Sequence, residues 1–211
     1  MIYAGAVRLG ILGPAQGDLH ALARGAQHLL DEAHAEKVIY LSDDDALDRV
    51  VEGWARGLVG SDPSEGALFD RASRCALASQ DAIDAFVASE RARQRLKVLV
   101  SLPQGQRTIE ILDGRVVLFV FDKGTLDEED IVAASLLVFG KSSGPLIKKV
   151  GTRVFLSPGP LGSEEGGAAL LDDGGGGVRI EVMNARGVVT ARDAIGPPQA
   201  AKMRIQGGSG G

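Results

Sequence analysis

The sequence is poor in the residues that most often announce a site. Cys75 is the one cysteine in 211 residues, so no internal disulfide can form, and a reducing, cytoplasmic setting is expected. The three histidines, His20, His28 and His34, fall in one short segment, so a site that gathers imidazoles from several distant loops cannot be assembled from them. No apolar run approaches the ~20 residues of a membrane span. Residues 1–12 lack the basic region and cleavage site of a signal peptide. With a net charge of -5 and a pI near 5.3, no whole-molecule basic field attracts nucleic acid. A chain of this length can bury about 70% of its unfolded surface, so folding needs neither metal nor disulfide.

What is present alternates between strand and helix. Residues 6–12 (AVRLGIL) read as a buried strand ending in the glycine-rich turn Gly13-Pro14-Ala15-Gln16-Gly17. Leu19, Leu22, Ala23, Ala26, Leu29, Leu30 and Ala33 then fall on one helical face, with Asp18 placed to cap it. Residues 37–42 (KVIYLS) read as a second strand, ending at Asp43-Asp44-Asp45, of which the last two open a helix. The middle third is mostly helical, with Gly57 to Gly66 as a loop and Ile83, Phe86 and Val87 as an apolar stripe. From Lys97 short strands dominate, at 97–101, 107–112, 115–121, 135–139, 146–150, 153–157 and 178–182. Asp113-Gly114 marks a hairpin, and Thr125 to Glu128 reads as a capping box. Residues 1–193 read as one domain, and the segment from Ala194 to Gly211, without packing pattern, as a flexible tail.

The order of these strands and turns resembles the compact calcineurin-like metallophosphoesterases, including small bacterial phosphodiesterases and the phosphoesterase-fold subunit of retromer. That resemblance implies an α/β fold, a two-sheet β-sandwich flanked by helices. It also implies two metals at strand C-termini, bound through D-x-H, G-D, G-N-H-D, a lone His and G-H-x-H. Ile11 to Leu22 (ILGPAQGDLHAL) is similar to the family's first strand and turn, with Pro14 at the metal-binding Asp position and Gln16 at the His position. Val38 to Asp43 (VIYLSD) resembles the second, and Asp43 keeps the carboxylate that bridges both metals there. Phe121 falls at the lone-His position, and Leu137 to Pro145 (LVFGKSSGP) places Lys141 and Ser143 where two histidines are expected. Leu156 to Pro160 (LSPGP) is similar to the family's closing turn, and Trp54 to Gly60 (WARGLVG) stands as a candidate remnant of G-N-H-D.

Neutral oxygens and an ammonium are poor substitutes for the ligands of a two-metal hydrolase. The reading is a pseudo-phosphoesterase without cofactor or catalytic residue, binding another protein or serving as a structural subunit. Its vestigial site comprises Pro14, Gln16, Asp43, Phe121, Lys141, Ser142 and Ser143, with Lys141 placed to pair with Asp43. One alternative is a metal-independent phosphate or nucleotide sensor using Gln16, Gly17 and residues 141–143. Another is a metal-dependent phosphodiesterase with a site relocated to Asp18, His20, Asp43, Asp44 and Asp122. Gly140-Lys141-Ser142 is not a P-loop, since Ser135 occupies the place of its first glycine.

Overall fold

In the computed structural model, residues 6–60, 62–75, 77–102 and 105–196 are described. The apolar run at the N-terminus forms β1 (Arg8–Leu12), and the stripe that follows forms α1 (Leu19–Asp31). Asp18 caps that helix, its carboxylate accepting from the Ala21 amide at 2.8 Å. A cap of this kind stabilises a helix by about 1 kcal/mol. Next come β2 (Lys37–Tyr40), α2 (Ala46–Val59), α3 (Leu68–Ser73), α4 (Gln80–Arg95) and β3 (Leu99–Ser101). The second half supplies β4 (Arg107–Leu112), β5 (Arg115–Val120), α5 (Glu128–Ala133), β6 (Leu136–Phe139), β7 (Leu146–Val150) and β8 (Arg153–Ser157). The chain then adds β9 (Gly167–Asp172), β10 (Val178–Asn184) and β11 (Val189–Ile195).

Two mixed sheets result, ordered β11-β10-β9-β1-β2-β3 and β4-β5-β6-β8-β7. Their facing sides bury Ile11, Ile39, Leu41, Phe119, Val138, Leu156, Leu171 and Ile180 in one core. The other side of the first sheet packs Leu12, Val38 and Tyr40 against Leu22, Leu29 and Leu47 of α1 and α2. Each fully buried leucine contributes about 1.5–3 kcal/mol, so the helical face of α1 is a large part of what holds this layer. The short α5 covers Leu118, Val120 and Phe139 on the outer side of the second sheet. Helix, sheet, sheet, helix is the layering expected from the resemblance.

Several local expectations give way. β9 is buried at every position, so it carries no apolar–polar alternation and is invisible to a period-two search. Residues 54–59, offered as a remnant of a ligand loop, are helical in α2, which ends on Gly60 in the left-handed conformation. The capping box is shifted: Asp127 and Asp130 form it, while Thr125 ends a 3-10 turn. Ile83 and Phe86 are half-buried, Val87 is exposed, and α4 is held instead by charge. Glu90 accepts from Arg71 Nε at 2.6 Å and from Arg93 Nε at 2.7 Å. Arg71 also donates to the carbonyls of Asp62 and Ser64, and Arg93 to that of Pro63, fastening the α2–α3 loop to α4. Ala194 and Ile195 belong to β11, and the segment read as a tail lies from residue 197 onward outside the described residues.

Candidate functional site

The turns after β1, β2, β5, β6 and β8 meet at one end of the sandwich, and two glycines permit it. A Cβ on Gly13 would fall inside the carbonyl oxygen of Gly159, and one on Gly140 inside that of Leu41. Either side chain would push the two sheets apart at this end. Backbone bonds complete the junction: Leu41 N donates to Leu12 O at 2.8 Å, and Lys141 N to Phe121 O at 2.8 Å. These glycines explain why the turns keep their character although the residues around them differ from the family pattern.

Lys141 is the central charge, and its partner is not the one expected. Its ammonium donates to Asp122 Oδ2 at 2.5 Å. The expected pairing with Asp43 is replaced, because Asp122 follows β5, the strand hydrogen-bonded to β6, and Lys141 lies in the turn after β6. Asp43 acts only at longer range, adding to the field that holds the Lys141 ammonium above the ordinary lysine range; the Asp122 hydrogen bond is the larger cause. The same bond, with the Gly124 amide, holds the Asp122 carboxyl below the usual carboxylate range. Asp43 itself is exposed.

The remaining predicted residues have separate occupations. Pro14 is half-buried, and its carbonyl accepts from Leu161 N at 3.0 Å. Gln16 is exposed, with a positive φ of 50°. Phe121 is half-buried against the inter-sheet core, so no polar atom replaces an imidazole there. Ser142 Oγ is turned back onto the Gly144 carbonyl at 2.6 Å, while Ser143 is exposed. No hydrogen bond joins Gln16 or Gly17 to residues 141–143 among the described residues.

A neighbouring network was missed in the sequence. Tyr40 is fully buried, yet its hydroxyl accepts from the Ala15 amide at 3.1 Å and donates to Asp44 Oδ1 at 2.9 Å. Burial pushes the phenol up to about 12. Asp44 also accepts from Ser42 Oγ at 3.0 Å and from Ala46 N at 3.0 Å, which starts α2. The turns after β1 and β2 are therefore tied through one phenol. A buried tyrosine must find a partner for its hydroxyl, and Asp44, four residues on, was the available signal.

Among the described residues, several carboxylates at this end are already engaged in other bonds. Asp18 is engaged as a cap, Asp44 by Tyr40, Ser42 and Ala46, and Asp122 by Lys141. Among the described residues no three His, Cys, Asp or Glu side chains are grouped to hold a metal ion, so the relocated set is not assembled. Lys141 brings a positive charge of its own. Two clefts, with volumes of ≈ 830 and ≈ 510 Å³, lie on the helical side instead.

The architecture has solved counterparts. A predicted phosphoesterase from Streptococcus pneumoniae superposes with a TM-score of 0.51 at 11% identity, over 90% of this chain and 97% of its own. The chain has the calcineurin-like metallophosphoesterase fold. Weaker likenesses within that fold are Vps29 from Chaetomium thermophilum in complex with a cyclic peptide (TM-score 0.47, 12% identity, 92% of this chain and 98% of that one) and an archaeal phosphodiesterase (0.45, 12%, 89% and 99%). No family model matches the sequence, and neither does any curated protein. The phosphoesterase sandwich is thus present with a lysine–aspartate pair at the end where the fold's strand C-termini converge.

Proposed function

We propose that this chain is a phosphoesterase-fold protein that does not carry out two-metal hydrolysis and acts by binding another protein. The observation that carries this reading is the Lys141–Asp122 ion pair, 2.5 Å long, at the strand C-termini. Two-metal hydrolysis needs two cations about 3.5–4 Å apart, held by carboxylates and imidazoles, to generate hydroxide and neutralise a developing oxyanion. Here the nearest carboxylates to Lys141 are neutralised by it or stand alone, and Gln16, Phe121 and Ser143 add no anionic or imidazole donor. The phosphate-sensor reading is disfavoured by the same pair. Asp122 already occupies the ammonium of Lys141, which leaves it less free to hold an anion. Among the described residues no helix is long and apolar enough to cross a membrane, so protein contacts are sought on an exposed surface.

The test uses the full chain. Metal content is measured after purification in manganese, and turnover of a generic phosphodiester is followed for the protein and for Asp43→Ala. The expected result is sub-stoichiometric metal and no turnover in either. Stoichiometric metal with turnover lost in Asp43→Ala overturns the proposal. Capture from a native lysate is expected to recover a specific protein whose binding is insensitive to metal and nucleotide.

A further inference from the structure

The cleft of ≈ 510 Å³ lies where α1, α2 and α4 meet, and its apolar wall is made by Leu30, Trp54, Leu58, Ala92 and Leu96. Leu58 is exposed and Trp54 half-buried, so this wall is partly wet in the free chain. Gly53 and Gly57, one turn apart on α2, also border it, and a Cβ on either would meet nothing within 4 Å. Glycine is a poorer helix former than alanine or leucine, and no contact among the described residues requires it at these two positions. The lips of the cleft carry charge of mainly one sign. Asp31 of α1 and Arg95 of α4 pair at 3.3 Å, and Arg95 also donates to the Leu30 carbonyl at 2.7 Å. Arg91 lies one turn before Arg95 on α4, and Arg24 two turns before Asp31 on α1. Both are exposed, and among the described residues neither makes an ion pair or a side-chain hydrogen bond.

We infer that this cleft docks an acidic amphipathic helix of a partner protein, an inference that rests on the protein-binding reading above and gives it a surface. Charge selects the sign of the partner. Arg95 already neutralises Asp31, the one acid in the lining, so Arg24 and Arg91 are left to meet carboxylates. The walls select its secondary structure. They are helices, whose interior N–H and C=O groups are bonded within each helix, so an occupant finds no free ladder to pair with. A segment entering an apolar cleft of this kind has to satisfy its own backbone, which a helix does and an extended strand does not. Its apolar anchor, a leucine or phenylalanine, fills the room beside Gly53 and Gly57 and covers Trp54 and Leu58. Its acidic flank then lies along Arg24 and Arg91.

Trp54 is the one tryptophan in the chain, so its emission reports on this cleft alone. The probe is a lactam-stapled helical peptide of about 15 residues, with leucines at i, i+4 and i+7 and glutamates along the flanks. Titrated into the full chain up to millimolar, it is expected to give a saturable blue shift of Trp54. The same peptide with lysines for glutamates is expected to bind about tenfold more weakly or worse. Gly57→Leu fills the cleft and is expected to weaken binding by about tenfold or more, with Tm equal to or above the parent's. Arg91→Glu, at an exposed residue without a partner, is expected to weaken it as well. No saturable shift, equal binding of the lysine peptide, or affinities that neither variant changes overturn the inference. A Trp54 shift produced by raising protein concentration alone, with a dimer mass by light scattering, also overturns it and assigns the cleft to a second copy. These outcomes bear on the cleft only, whereas metal content and turnover decide the broader reading.

Discussion

Replacing Tyr40 by phenylalanine removes one oxygen from a fully buried site while keeping the ring that packs against α1 and α2. Two bonds go with it. The Ala15 amide, in a residue that is itself buried, loses its acceptor, and Asp44 Oδ1 loses a donor but keeps the Ala46 amide. A buried amide left unsatisfied costs about 1–3 kcal/mol, and the second loss is partly compensated, so about 2 kcal/mol is expected. For a chain of this size that lowers Tm by about 4–8 °C. Urea titration gives the free energy with an unchanged slope. The pH dependence gives an independent reading. Because the folded phenol is raised from 10.0 to about 12, its contribution is fully present below pH 10 and is lost as pH rises toward 12. The stability difference between the parent protein and Tyr40→Phe is therefore expected to shrink across that interval. A neutral substitution, or a difference constant from pH 9 to 12, refutes the proposed tie between the two turns.

Gly140→Ala is expected to be severe, at least about 3 kcal/mol by denaturant titration, since its Cβ would meet a backbone carbonyl that cannot rotate away. Lys141→Ala should leave the unfolding midpoint nearly unchanged at neutral pH, because its pair with Asp122 is largely solvent-exposed. Glu90→Ala leaves Arg71 and Arg93 facing each other in a buried setting, and about 3–5 kcal/mol should be lost. The Arg71 hydrogen bond is among the causes that hold the Glu90 carboxyl below its usual 4.5, so its contribution is present above that pH and lost as pH falls. Acid titration of the Glu90→Ala variant should accordingly show a shallower loss below 4.5 than the parent chain.

Much of the fold is written locally. The α1 stripe with Asp18 before it, the Asp113-Gly114 hairpin, and the alternation of Val178, Ile180 and Val182 each specify an element through neighbours in the chain. β9 could not be read this way: Gly167–Asp172 is covered on both faces by parts of the chain far away in sequence, so burial imposes no alternation. The partner of Lys141 was likewise beyond sequence reasoning. Turn motifs placed Lys141 and Asp43 at one end, but which carboxylate lies within bonding distance depends on strand order, and β5 beside β6 decides for Asp122.

By itself, the sequence determined the alternating α/β order and the supply of chemical groups. A chain with three clustered histidines cannot spread imidazoles over several loops, whatever its fold. Only the tertiary structure decided how the remaining groups are used: Tyr40 joined to Asp44 across two turns, Lys141 to Asp122 across two strands, and Arg71 and Arg93 closed around Glu90. Composition and periodicity depend on residues close along the chain. Pairing depends on distances set by sheet register and the crossing of two sheets, which no short stretch of sequence encodes.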